Sequence, residues 1–130
     1  MAQTGRPLSP HLQVYKWQVQ MVSSILHRAT GIILAVGSLL IVWGLAYLAA
    51  GPEAYATFTA CAGSAFGMLV LIGWTLAFFY HLANGIRHLV QDTGKGYAIE
   101  SFVRSSWTAI VVAIVLTIAV WAYVFTGGHA

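Results

Sequence analysis

Between Arg28 and Glu53 the chain reads ATGIILAVGSLLIVWGLAYLAAGP, 24 consecutive residues (29–52) without a charge. A helix needs about 20 predominantly apolar residues to cross a bilayer, so this stretch is long enough for one span. The pattern then repeats: 33 uncharged residues lie between Glu53 and Arg87, and the last 26, after Arg104, carry no charge. Of the 130 residues, 59% are hydrophobic and 7% charged, whereas a soluble domain carries about 25% charge. Such a chain cannot cover a globular surface with polar groups. It is also too rich in aliphatic and aromatic residues for disorder. The sequence predicts an all-α integral membrane protein with three transmembrane helices.

Punctuation residues set the expected boundaries. Residues 1–20 read as a polar arm in which Pro7 and Pro10 prevent a continuous helix. The remainder, 21–130, reads as one membrane domain with helices over about 22–50, 63–89 and 105–126. Gly51-Pro52 ends the first, the polar stretch 91–104 with Gly94 and Gly96 forms a connector, and Gly127-Gly128 frays the third. At 1.5 Å per residue the first helix overshoots the bilayer by about two turns, and the overhang is VSSILHR, residues 22–28. The arm has no apolar stretch after its basic residue and does not read as a signal peptide. Gly63 and Gly67 form a GxxxG pair, and Ala77, His81 and Gly85 share one helix face. Small residues at that spacing admit a neighbouring helix, from this chain or another, or a flat ligand.

The basic residues give an orientation. Arg6, Lys16 and Arg28 precede the first span, and Arg87, Lys95 and Arg104 flank the second connector, whereas 51–63 and the C-terminal tail have no Lys or Arg. The positive-inside rule puts the N-terminus in the cytoplasm and the C-terminus outside. Trp17 and Trp107 then fall near the inner interface, with Trp43, Tyr47, Trp121 and Tyr123 near the outer one. The basic residues never form a run, which argues against nucleic acid as a partner. The single cysteine, Cys61, excludes an internal disulfide framework.

Ionisable side chains inside a membrane are costly and therefore informative. His81 lies six residues before Arg87; if Arg87 marks the inner interface, His81 sits about 9 Å deeper. His88 follows two turns along, with Asn84 and Gly85 between them on the same stripe. A neutral imidazole there can ligate a metal through one nitrogen and donate the other N–H, or it can simply make an interhelical hydrogen bond. Ser24, His27 and Arg28 occupy one face of the first helix at the same depth. Arg28 can anchor the helix end to lipid phosphates or serve a site. Both groups of residues converge on one leaflet. Imidazole, guanidinium and hydroxyl at a bilayer edge suit a haem whose iron is held by His81 and whose propionates pair with His27, Arg28 and His88. A quinone headgroup would be hydrogen-bonded by Ser24 and oriented by Arg28. One deep histidine supplies one axial ligand, so the second comes from another chain and the haem lies at a subunit interface. No HExxH, nucleophile elbow or glycine-rich phosphate loop is present.

The motifs RPLSPHL (6–12) with Tyr15, SILHRATG (24–31), and HLANGIRHL (81–89) with Asp92 together resemble the cytochrome b membrane-anchor subunit of succinate dehydrogenase (complex II), in order and over essentially the whole chain. The resemblance implies that His81 is an axial ligand of haem b, the other coming from a second small anchor subunit. It implies that Ser24, Ile25 and Arg28 line the ubiquinone site beside the iron–sulfur subunit, and that His27 and His88 lie near the haem propionates. Asp92 matches a family position near the cytoplasmic surface. The implied protein is a multi-pass subunit of a bacterial inner-membrane complex that also contains a flavoprotein, where succinate is oxidised; this chain has no flavin or dinucleotide fingerprint. Two other readings stand beside it: a haem-free structural anchor, and a small transporter component, the latter disfavoured because no span carries a carboxylate.

Overall fold

The computed structural model describes Gly5 and residues 18–127. The motif residues 6–12, Tyr15, Lys16 and Trp17 lie outside the described residues. Four helices follow one another among the described residues: α1 Val19–Ala50, α2 Pro52–Ala62, α3 Ala65–Asp92 and α4 Ile99–Thr126. No strand occurs among the described residues, and α1, α3 and α4 are long and apolar enough to cross a membrane. The 32 residues of α1 extend about 48 Å, against a hydrocarbon core of about 30 Å. The chain is therefore an all-α integral membrane protein built on three long helices.

The expected boundaries differ from the observed ones where turn residues have two meanings. Gly51-Pro52 ends α1, but Pro52 is also the first residue of α2, where its missing N–H costs nothing. Residues 52–62 are thus a helix and not a loop. At 11 residues, about 16 Å long, α2 cannot span. Gly63 closes α2 and Ser64 caps α3, accepting a hydrogen bond from the Gly67 N–H at 3.1 Å. The Gly63/Gly67 pair therefore straddles a corner and forms no common helix face; a Cβ on Gly67 would overlap the Cys61 carbonyl. At the other end α3 runs on to Asp92 and stops where Gly94 takes φ 86°. Glu100, in the first turn of α4, suits the positive end of the helix dipole, and the connector shrinks to 93–98.

The packing is that of a membrane bundle. Buried residues of α1 are Ser23, Thr30, Gly37 and Gly44, at seven-residue intervals. Those of α3 are Ala77, Tyr80, Asn84, Arg87 and Gln91; those of α4 are Ser106, Ala109, Ala113 and Thr117. Apart from Tyr80 and the polar side chains of α3, these seams are made of small residues, which let backbones approach closely. The large aliphatic side chains, such as Ile32, Leu39, Leu69 and Ile118, point outward. Hydroxyls away from the seams bond their own helix: Ser38 donates to the Ala35 carbonyl and Thr75 to that of Leu71, as hydrocarbon requires. At the α2 end, Phe58 stands edge-on to Trp43 at 5.0 Å, fixing the short helix against α1.

Gly37 sets the closest approach of α1 to α3, because the Trp74 indole occupies the space a Cβ would need. Gly37→Leu should therefore destabilise the bundle by about 1–3 kcal/mol. Gly73→Ala, where nothing lies within 4 Å of the added carbon, should be neutral. Denaturant unfolding of the two variants in detergent checks the contrast; equal stabilities would remove Gly37 from the role of spacer.

Candidate functional site

The N-terminal end of α1, the C-terminal end of α3 and the start of α4 meet at one end of the bundle. Two polar systems lie there, on adjacent faces of α3. The inward face carries residues 80, 84, 87 and 91, at the 4-3-4 spacing of a single helical stripe. Asn84 and Ser23 are fully buried, and Arg87 is only 8% exposed. The Arg87 Nε donates to Asn84 Oδ1 at 2.8 Å and its Nη2 to Ser23 Oγ at 3.2 Å. The Tyr80 hydroxyl lies 2.8 Å from the Ser23 carbonyl and 3.0 Å from Ser23 Oγ, and Ser23 Oγ lies 3.1 Å from Asn84 Oδ1. From α4 the Phe102 ring covers the guanidinium carbon at 4.7 Å, a cation–π contact.

This arrangement corrects two sequence expectations. Arg87 does not mark an interface with water; it is drawn inward and shared among three helices. Asn84 does not belong to the imidazole stripe, because it faces Ser23 and Arg87. The sequence signal for this network is the period of Tyr80, Asn84, Arg87 and Gln91, one residue out of step with the face of His81 and His88. Ser23 was missed in favour of Ser24. Adjacent residues on a helix differ by about 100° in direction, and polarity alone does not distinguish them.

The second system is a cluster of three imidazoles. The His27 ring stacks on His81 with centroids 4.0 Å apart and planes 6° from parallel, and His88 lies 5.2 Å from His27. His81 Nδ1 is 3.1 Å from the His27 carbonyl and 3.2 Å from Thr30 Oγ1, and the Thr30 hydroxyl donates to that same carbonyl at 3.0 Å. A carbonyl can only accept, so the hydrogen sits on Nδ1 and the lone pair on Nε2. This tautomer is the one an imidazole adopts when Nε2 ligates a metal and Nδ1–H is held by a second partner. Nε2 makes no hydrogen bond with another described residue. The close packing relies on Gly31, where an added Cβ would come within 3.1 Å of His81 Cε1. The Nδ1 of His27 is buried without a hydrogen-bond partner among the described residues.

The remaining predicted residues lie on the outward side of α1. Ser24 is half-buried, while Ile25 and Arg28 are exposed; Asp92, at the last turn of α3, is exposed as well. The structure thus brings His27, His81 and His88 together and leaves Ser24, Ile25 and Arg28 facing away from the chain's own seams. No group of three or more metal-binding side chains of the His, Cys, Asp and Glu types is found among the described residues.

Residues 2–120 match the model of the succinate dehydrogenase/fumarate reductase transmembrane subunit family. The chain is 39% identical over 116 residues to the succinate dehydrogenase cytochrome b556 subunit of Rickettsia felis, covering 89% of this chain and 90% of the other. It is 41% identical over 114 residues to the subunit of the same name from Paracoccus denitrificans, 88% of each chain. With the mitochondrial succinate dehydrogenase cytochrome b560 subunit of Sus scrofa it shares 36% identity over 117 residues, 88% of this chain and 67% of the other.

Ser23 is the hub of the inward network, so Ser23→Ala removes the shared partner of Tyr80, Asn84 and Arg87. The expected loss is about 1–2 kcal/mol of stability in detergent, read by thermal or denaturant unfolding. Ser24→Ala, which breaks no hydrogen bond to another described residue, should leave stability unchanged. The reverse order would mean that α1 is rotated by one residue from the arrangement described.

Proposed function

We propose, from the premise that this chain belongs to the succinate dehydrogenase/fumarate reductase transmembrane subunit family, that it supplies one axial ligand of a haem b and one wall of the ubiquinone-reduction site. The family makes it a membrane subunit of an oxidoreductase complex, and the relatives' names make it a cytochrome b type of subunit. The observation that carries the finer reading is the His81 imidazole, whose Nδ1 is held by the His27 carbonyl at 3.1 Å while Nε2 is left available. The Nδ1 of His27, buried without a partner among the described residues, offers a hydrogen bond to a propionate oxygen; His88, 5.2 Å from His27, adds a second donor, and Arg28 one from the outward face of α1. When bound, haem b supplies a one-electron redox centre. A second small membrane subunit would provide the other axial ligand.

Ser24, Ile25 and Arg28 form the quinone side. Succinate oxidation takes place at the flavoprotein, electrons pass through the iron–sulfur subunit, and ubiquinone takes up two electrons and two protons to become the quinol. Ser24 Oγ donates a hydrogen bond to a quinone carbonyl. Arg28 stabilises negative charge that develops on that oxygen, a donor placed before the charge appears, and Ile25 lends apolar contact to the ring. The division of labour between adjacent serines supports this reading: Ser23 is consumed by contacts within the chain, and Ser24 is free for a ligand. The basic end lies on the cytoplasmic side by the positive-inside rule, with the soluble subunits against it, and the bacterial relatives support a bacterial inner membrane as the location.

His81→Leu should abolish the reduced-haem absorption bands of the purified complex while the subunits still copurify. An unchanged spectrum would remove His81 as a ligand, and absence of haem from the unmodified complex would make the chain a bare anchor. Arg28→Leu should lower ubiquinone reduction on the order of 100-fold with succinate oxidation by a soluble artificial acceptor retained. Parallel loss in both assays would refute a role specific to the quinone.

A further inference from the structure

The inward stripe of α3 ends in a cleft that neither the imidazole cluster nor the outward face of α1 uses. It opens between α3 and α4 at the basic end and has a volume of about 510 Å³, within the range of ligand pockets. Its polar wall contains Arg87, Gln91, Lys95 and Arg104, three cations and an amide. Asp92 and Glu100, the carboxylates of the same region, are not among the residues that line it. Two of the lining side chains are buried yet incompletely bonded. Among the described residues Arg87, 8% exposed, has no partner for Nη1, and Gln91, 6% exposed, has none for Nε2. Buried donors without acceptors are costly, above all in a membrane. The other wall is apolar and belongs to the spans themselves, with Ile86, Ala109 and Val112 on it.

We propose that this cleft binds an anionic glycerophospholipid, its phosphodiester oxygens accepting from Arg87 and Gln91 and its charge balanced by Lys95 and Arg104. Phosphate suits the donors, because its oxygens accept without donating and guanidinium matches their geometry. Free phosphate would satisfy the polar wall but leave Ile86, Ala109 and Val112 without an occupant; an acyl chain covers them. Headgroup and chain are thus selected by one continuous groove, with the basic rim at the depth where anionic headgroups of a leaflet lie. The lipid completes the hydrogen bonding of Arg87, which is also held by Ser23 and Asn84, so it steadies the junction of α1, α3 and α4.

The test uses the intact complex in bilayers, with spin-labelled phosphatidylglycerol and phosphatidylcholine as competing probes. The unmodified complex should prefer phosphatidylglycerol, and K95Q and R104Q should each reduce that preference roughly fivefold. Val112→Trp, which keeps every charge but fills the apolar wall, should reduce phosphatidylglycerol association severalfold; it also decides the matter should the charge variants fail to assemble. Haem absorption and succinate oxidation by a soluble acceptor verify assembly. Unaltered preference in these variants would overturn the proposal. So would displacement of the lipid by millimolar inorganic phosphate, which would make this a phosphate site, or crosslinking of Lys95 to an acidic segment of a partner subunit seated in the cleft.

Discussion

A guanidinium held inside a helical bundle is the constraint on which the rest of this structure depends. Arg87 is 8% exposed, and a buried charge is costly unless it is paired and hydrogen-bonded. Its partners come from all three long helices: Ser23 on α1, Asn84 on α3 itself, and the Phe102 ring on α4. A hydrogen bond of 2.8 Å and another of 3.2 Å tolerate little rotation. Once Ser23 faces Arg87, the rotation of α1 about its axis is fixed, and so is the direction of every residue one turn further on. His27, four residues after Ser23, is thereby laid against His81, and Thr30, seven residues after, is brought to His81 Nδ1.

The seams that permit this contact do not supply a hydrophobic driving force. Lipid tails are as apolar as the side chains they solvate, so helices associate through close packing and hydrogen bonds. Seven-residue spacing of Ser23, Thr30, Gly37 and Gly44 gives α1 a narrow stripe of small residues, and the Trp74 ring fills the space above Gly37. Everything else on α1 is left for lipid or for another protein chain. Packing on one thin stripe is consistent with a subunit whose remaining faces are completed within a larger complex.

The architecture was legible because charge is so rare here. Charge-free intervals of 24, 33 and 26 residues are each long enough for one apolar membrane helix. What the chain did not disclose was local. Pro52 reads equally as the end of one helix and the first residue of the next, and only the corner at Gly63 and Ser64, with its Ser64–Gly67 cap, decides for a separate α2. The histidines were legible by type and depth, and their positions at 27, 81 and 88 do come together. The choice between Ser23 and Ser24 was not legible, because it depends on where α3 lies around α1. Arg87 was misplaced for a related reason: a basic residue near a span end ordinarily reaches for water, and its recruitment inward requires Ser23 and Phe102, residues 64 and 15 positions away in the sequence.

Two stripes of α3 about 100° apart therefore behave differently. The stripe through Tyr80, Asn84 and Arg87 is tied across to α1 through Ser23. The stripe through His81, Gly85 and His88 is held differently: His81 directs its lone pair away from its own hydrogen bonds, and His27, packed upon it, has a buried nitrogen with no acceptor among the described residues. Polar groups in a bilayer are rarely left incomplete without a reason. The stripe tied to Ser23 makes the geometry of the imidazole stripe dependable, since the same turn of α1 carries Ser23 into the first and His27 into the second. A substitution that rotates α1 would thus disturb the imidazoles without touching them, because Ser23 and His27 share one helix turn.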